Sequence, residues 1–256
     1  MSEMLLALLA AACAILLFDL MVLRGKRERV GAGQPALSEP AVVGYARSLL
    51  PVIVIVLVFR SFLFEPFRIP SASMMPGLVD GDFILVSKFT YGLRLPVINI
   101  KLVPIGEPQR GDVVVFRSPA RPSVNLVKRL IGLPGDHIVV RDNQLSINGR
   151  VIPQSSAGNY PDDYGFAGAP LRRERIGRAD HMIMLAPGLS VTDFEGTVPA
   201  GHYFFMGDNR NDSADSRFAD VGFVADGNLI GQAIGIWMNW RIPGWPRLGR
   251  IGLRIH

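Results

Sequence analysis

The sequence predicts a mainly β protein, with linked antiparallel β-sheets forming an extracytoplasmic domain preceded by two transmembrane α-helices. Three observations carry this. Two long apolar runs are confined to the first 64 residues, short β-type runs with turn punctuation fill the remainder, and long amphipathic helical periodicity is absent there. The 256 residues are 49% apolar and 19% charged, enough for one or two cored domains. Mean hydropathy is +0.28, and the excess sits at the amino end.

Composition also excludes several classes. The one cysteine, Cys13, lies in an apolar run, so the rest must fold without disulfides or a thiolate zinc site. A diffuse net charge of +5, with no zinc-finger, P-loop or RNP pattern, argues against nucleic acid.

The first run, residues 1–23 with Met4–Leu23 as its apolar part, has about the ~20 residues needed to cross a bilayer core. A cleaved signal peptide would carry basic residues before the run. Here Glu3 precedes it, and Arg24, Lys26, Arg27 and Arg29 follow. Basic flanks stay in the cytoplasm, so the predicted amino terminus is outside and the basic loop 24–48 inside. The second run, 49–64, contains Pro51 and Arg60 and is rich in Val and Ile, so a buried strand is the rival reading. Placing Pro51 in the first turn and letting Arg60 snorkel favours a second span. Residues 65–256 then lie outside.

In that domain the candidate strands are 83–86, 113–116, 127–131, 137–141 and 182–185. Segments 144–147 and 150–152 flank Asn148 and Gly149, the strongest short hairpin signal. Residues 153–200, rich in Gly, Pro, Asp and Arg, read as a looser inserted region.

Four histidines (His137, His181, His202, His256) show no metal-ligand spacing. No GxSxG elbow supports a Ser-His-Asp triad. Residues 65–78 (EPFRIPSASMMPGL) hold Ser71 and Ser73 between Pro70 and Pro76 in a constrained loop. Ser73 is nine residues beyond Phe64, at most ~30 Å of extended chain, and so works close to the membrane. In 124–136 (VNLVKRLIGLPGD), strand geometry puts Lys128 on the face of Val124, Leu126 and Leu130, and Arg129 on the other. Desolvation there lowers a lysine pKa, which suits a general base for a serine hydroxyl. An edge lysine that discourages aggregation is the plainer alternative. In 207–217 (GDNRNDSADSR), Asp215 and Arg217 can form an ion pair and Ser213 can position an amine. A calcium site is disfavoured by the absence of an EF-hand spacing.

Together these stretches resemble bacterial signal peptidase I, the leader peptidase family. The likeness rests on Ser71 to Pro76, on Gly81-Asp82 through Lys88 with 111–116 (GDVVVF), on Lys128-Arg129 with Gly132 to Asp136, and on 207–217. The resemblance implies a membrane-bound serine endopeptidase that removes signal peptides from secreted precursors after small residues. It implies Ser73 as nucleophile and Lys128 as general base, with Ser71 and the Ser73 amide as oxyanion hole. Ser213 would orient the lysine, with Asp215 and Arg217 as structural support. No metal or organic cofactor is implied. Its partners would be signal-peptide-bearing precursors and the lipid bilayer of the bacterial inner membrane, with no oligomeric state specified. Departures are Ala72 where the family often has Gly, Pro76-Gly77 for a frequent Pro-Thr, the order Asn211-Asp212, and no disulfide. The rivals are a self-cleaving repressor-type Ser-Lys protease, whose DNA-binding module is replaced here by two spans, and an inactive membrane-tethered binding protein. The Trp237, Trp240 and Trp245 cluster among arginines suits either lipid headgroups or internal packing.

Overall fold

The structure is a computed structural model describing residues 2–25, 39–94, 101–161, 164–241 and 243–255. Lys26, Arg27, Arg29 and His256 lie outside the described residues. The chain divides into two compact units, Met1–Leu63 and Phe64–His256.

The first unit is two helices, α1 (Ser2–Phe18) and α2 (Ala41–Val58), each continued by one π-helical turn, Asp19–Leu23 and Phe59–Leu63. Met4–Leu23 and Ala41–Leu63 are long and apolar enough to cross a membrane, with mean hydropathies of 2.7 and 2.3. Twenty-three helical residues extend about 34 Å, slightly more than a bilayer's hydrocarbon core. Leu20, Met21, Val52 and Ile55 point outward, a surface that lipid covers at no cost and water does not. The second helix starts at Ala41, eight residues before the apolar run that marks it in the sequence. Pro51 is therefore inside the helix and not in its first turn. Tyr45, Arg47 and Ser48 hide that earlier start from a hydropathy reading, although they continue the helix. Ser48 Oγ donates to the Gly44 carbonyl at 3.0 Å. Within this unit Asp19 is buried and Arg47 Nη2 approaches its carboxylate at 3.9 Å, while also pairing with Glu39 at 2.9 Å.

The second unit opens with β1 (Phe64–Arg68) and β2 (Asp82–Ser87), then a small ribbon of β3 (Leu93–Arg94) and β4 (Lys101–Val103). Next come β5 (Val113–Arg117) and β6 (Asn125–Gly132), and the meander β7 (His137–Arg141), β8 (Gln144–Ile147) and β9 (Arg150–Val151). Then follow β10 (Gln154–Asn159), β11 (Pro170–Ile176) and β12 (Ala179–Met184). The last four are β13 (Phe194–Thr197), β14 (His202–Met206), β15 (Val224–Ala225) and β16 (Leu229–Asn239). The main sheet runs β1-β2-β16-β5-β6-β14-β15, beside a sheet β13-β7-β8-β9 and a sheet β10-β11-β12. All the named pairings are antiparallel. The fold is mainly β, with linked antiparallel sheets and two apolar helices before them.

Central strand β5 is apolar on both faces because each face meets a separate core. Val113 and Val115 join Ile69, Met74, Ile84 and Ile236, while Val114 and Phe116 join Leu130, Phe205 and Leu229. Period-two alternation thus reads as an unbroken apolar run. Asn148 and Gly149 both take positive φ (52° and 76°) and turn β8 into β9 as the dipeptide requires. Residues 153–200 are more ordered than their composition suggests, since they hold the β10-β11-β12 sheet and β13. Polar outward residues on β10 and β11 conceal these strands: only Leu171, Glu174 and Ile176 of β11 are buried.

The rings of Phe116 and Phe205, both fully buried, stack with centroids 4.6 Å apart. Phe205→Ala should lower the unfolding free energy of the full chain by roughly 3–5 kcal/mol in urea titrations.

Candidate active site

Two neighbouring strands and two loops build the site. Strand β6 places Lys128 opposite Val114 of β5, so its side chain stands among apolar groups and is 3% exposed. The serines lie in the loop between β1 and β2, closed at its base by Ile69 N donating to the Asp82 carbonyl (2.8 Å) and Gly81 N donating to the Ile69 carbonyl (3.0 Å). Buried Met74 and Met75 anchor the loop tip, and the Met75–Pro76 bond is cis. The result sets Lys128 Nζ 2.6 Å from Ser73 Oγ. Ser71 Oγ stands 3.3 Å from Ser73 Oγ on the exposed side.

The 207–217 loop holds this arrangement from the other side. Asn209 donates its backbone N–H to the Ser73 carbonyl (3.1 Å) and Nδ2 to the Ala72 carbonyl (3.3 Å). Asp215 accepts from Gly207 N (2.9 Å) and from Arg217 Nε and Nη2 (2.8 and 2.9 Å), and Arg217 Nη2 also donates to the Arg210 carbonyl (2.6 Å). Ser213 is buried close by, but its hydroxyl makes no hydrogen bond with Lys128. It packs instead on Gly207: a Cβ there would fall 2.2 Å from Ser213 Oγ and 2.5 Å from the Ser73 carbonyl oxygen. That position has to be glycine for the two loops to close.

Burial pushes the Lys128 ammonium down to about 8, against Asp215, Asp208 and Asp212, which favour the charged form; Arg217 assists the lowering.

A second set of buried charges, which no motif in the sequence announces, lies behind Lys128. Arg129, on the opposite face of β6, is as buried as Lys128. It forks onto Asp208 (Nε–Oδ1 2.8 Å, Nη2–Oδ2 2.7 Å) and donates Nη1 to the Gly111 carbonyl at 2.7 Å. Burial alone would raise the Asp208 carboxyl, yet Arg129, with His181 and Arg210, holds it below the usual range. Glu174 of β11 pairs in the same way with Arg210, and buried His181 of β12 lies 3.5 Å from Glu174 and 3.9 Å from Asp208. The available signal was alternation itself: an arginine next to a buried lysine in an apolar strand needs a buried anion on its own face.

Comparison with known proteins now bears on the geometry. A family model for signal peptidase, peptidase S26, matches residues 42–240. A signal peptidase I from Pseudomonas aeruginosa is 42% identical over 99% of this chain and 98% of its own. The chain belongs to the signal peptidase I family. A signal peptidase I from Pseudomonas fluorescens is 48% identical over 84% of this chain and 80% of its own. A solved signal peptidase I from Enterococcus faecalis V583 aligns over 50% of this chain and 97% of its own at 33% identity, with a TM-score of 0.32. As a member of the signal peptidase I family the protein is a membrane-anchored serine peptidase, a hydrolase that removes signal peptides from precursor proteins.

Unfolded lysine keeps its proton to about 10.5, so between about pH 8 and that value the unfolded chain binds the proton that folded Lys128 has released. Stability should rise with pH across this window. Below it the full burial cost stands, about 3 kcal/mol. Lys128→Met should flatten that rise and stabilise the protein at neutral pH, read by denaturant titrations at a series of pH values.

Proposed function

We propose that the peptidase cuts precursors by a Ser-Lys dyad with an acyl-enzyme intermediate. Ser73 Oγ attacks the scissile carbonyl while the neutral amine of Lys128 takes its proton. The oxyanion that forms is bound by the Ser71 hydroxyl and the Ser73 backbone N–H. On collapse the C–N bond breaks, Lys128 returns the proton to the leaving amine, and the mature protein departs. Water then attacks the ester, giving its proton to Lys128, and Ser73 is regenerated. Ser213 acts through the loop closure at Gly207, and Asp215 with Arg217 supports that loop.

The observation that carries this reading is the 2.6 Å approach of Lys128 Nζ to Ser73 Oγ with the amine buried. A base must be within hydrogen-bond reach of the proton it takes and must have an unprotonated lone pair to accept it. Burial supplies the second condition, since it favours the uncharged form.

The same reading sets the remaining parts in place. The spans are Met4–Leu23 and Ala41–Leu63, the basic segment between them is cytoplasmic, and Phe64–His256 is the peptidase domain on the periplasmic face of the inner membrane. Cleavage falls after small residues at the first and third positions before the cut. The side chains Trp245, Leu248 and Ile251 are apolar and exposed, a chemistry that suits the headgroup region of the bilayer. Tethering keeps the nucleophile beside membrane-bound precursors and raises their effective concentration.

Purified enzyme and a precursor peptide test the dyad. Ser73→Ala and Lys128→Ala should each abolish cleavage in folded protein. Ser71→Ala should reduce kcat by roughly 10²–10³-fold, the cost of one oxyanion donor. Unchanged activity in all three would overturn the mechanism. The rate of cleavage should climb with pH along a limb centred near 8, where Lys128 loses its proton.

A further inference from the structure

The carboxyl-terminal segment reaches back to the loop that carries Ser73. Arg250 closes a short 3₁₀ turn, Leu248–Arg250. Its Nε donates to Asp82 Oδ1 (2.7 Å), and its Nη2 donates both to Asp82 Oδ2 (2.6 Å) and to the Gly77 carbonyl (2.9 Å). Asp82 is fully buried and also accepts from Val79 N (2.9 Å) and Asn239 Nδ2 (2.8 Å). One guanidinium therefore holds the descending side of the serine loop at two points, four and nine residues after Ser73. The segment beyond is tied down as well, with Gly252 N donating to the Ile236 carbonyl and Ile236 N donating to the Leu253 carbonyl.

We propose that Arg250 is a positioning residue for the peptidase reaction, setting the distance between Ser73 and Lys128 by bracing the loop at Gly77 and Asp82. This rests on the Ser73–Lys128 reading. Met74 and Leu78 of the loop are buried in the core, but their packing is incomplete on one side. A cavity of about 160 Å³ lies behind it, lined by Met74, Leu78, Leu253 and Ile255 together with Arg129 and Asp208. Side chains bordering a void lack neighbours on one side and resist displacement weakly. Hydrogen bonds from Asn209 hold the ascending side at Ala72 and Ser73. The Arg250 fork is their counterpart on the descending side, so the loop tip is clamped from both directions. Lysine does not replace the fork, because a single ammonium cannot match a carboxylate bidentately and also satisfy a carbonyl in fixed geometry.

The test uses the full chain in detergent micelles and a precursor peptide, comparing wild type with Arg250→Lys, Arg250→Met and Ser73→Ala. Arg250→Lys keeps a charge beside Asp82. It should lower kcat roughly tenfold, the scale on which small misplacements of reacting groups act, with KM within twofold and the ascending pH limb unmoved. Arg250→Met should lower kcat further. Should it fail to fold, the double variant Asp82→Asn with Arg250→Met removes both charges and should show the same loss of kcat. Normal kcat in the folded variants overturns the proposal, as does a kcat loss that only tracks the unfolded fraction measured by circular dichroism. Cleavage retained by Ser73→Ala would instead overturn the dyad reading on which the proposal stands.

Discussion

The structure turns on the cost of burying one amine. Lys128 sits where its charged form is poorly solvated, and a hydroxyl 2.6 Å away is its polar neighbour. Three aspartates nearby work against that burial by favouring the ammonium. The site contains those anions only because each of the two buried ones is paired. Asp215 forks with Arg217, and Asp208 forks with Arg129. A carboxylate whose charge is spent on a guanidinium at 2.7–2.9 Å projects a dipole, whose field falls faster with distance than that of a bare charge. The arginines thus let the loop keep the acceptors it needs for its backbone without re-protonating the amine of Lys128.

The parity of a strand divides these jobs. Lys128 and Arg129 are consecutive, so they project to opposite faces of β6, and both faces are buried because the main sheet has a core on each side. One face supplies the amine beside Ser73 and the other the cation that anchors the 207–217 loop. Breaking the fork by removing Asp208 alone would strand a buried guanidinium, a loss of about 3–5 kcal/mol. The catalytic geometry and the stability of the domain therefore draw on the same pair of adjacent residues.

What could be read in the sequence follows from where the physics is local. The Asn148-Gly149 turn and the strands β7 and β8 that precede it are short-range features, and the bounds of both strands coincide with the expected ones. Ser71, Ser73 and Lys128 stood out because proline-framed serines and a lysine on an apolar face are locally odd. Strand β1 is hard to read from sequence because it takes its first residue, Phe64, from the end of the apolar run, and Glu65, Pro66 and Arg68 leave it no apolar alternation. Its Pro66 is tolerated since β1 is a sheet edge. Strand β16 was obscured by Gly231 and Gly235 and by its bulges, although Gly231 is required where the Ser87 carbonyl would lie 2.2 Å from any Cβ. Ser213 packs on Gly207, and Gly207 in turn closes on the Ser73 carbonyl over 130 residues earlier, a contact no local pattern encodes.

That long-range character explains why the conspicuous motifs are spaced as they are along the chain. The loop around Ser73 has few residues and makes little regular structure of its own, so its conformation is borrowed. The 207–217 segment contributes Asn209 to its ascending side and the Gly207 surface to its tip. Asp82, at the start of β2, binds Val79 from within the loop, and Asn239 at the end of β16 fixes Asp82 in turn. Strand β6 then delivers the amine. Each motif corresponds to one polar contact on, or one group facing, a single constrained turn. A backbone held this way from several distant segments cannot relax at one point without losing hydrogen bonds at another, which is the condition for keeping a hydroxyl and an uncharged amine at fixed separation through a catalytic cycle.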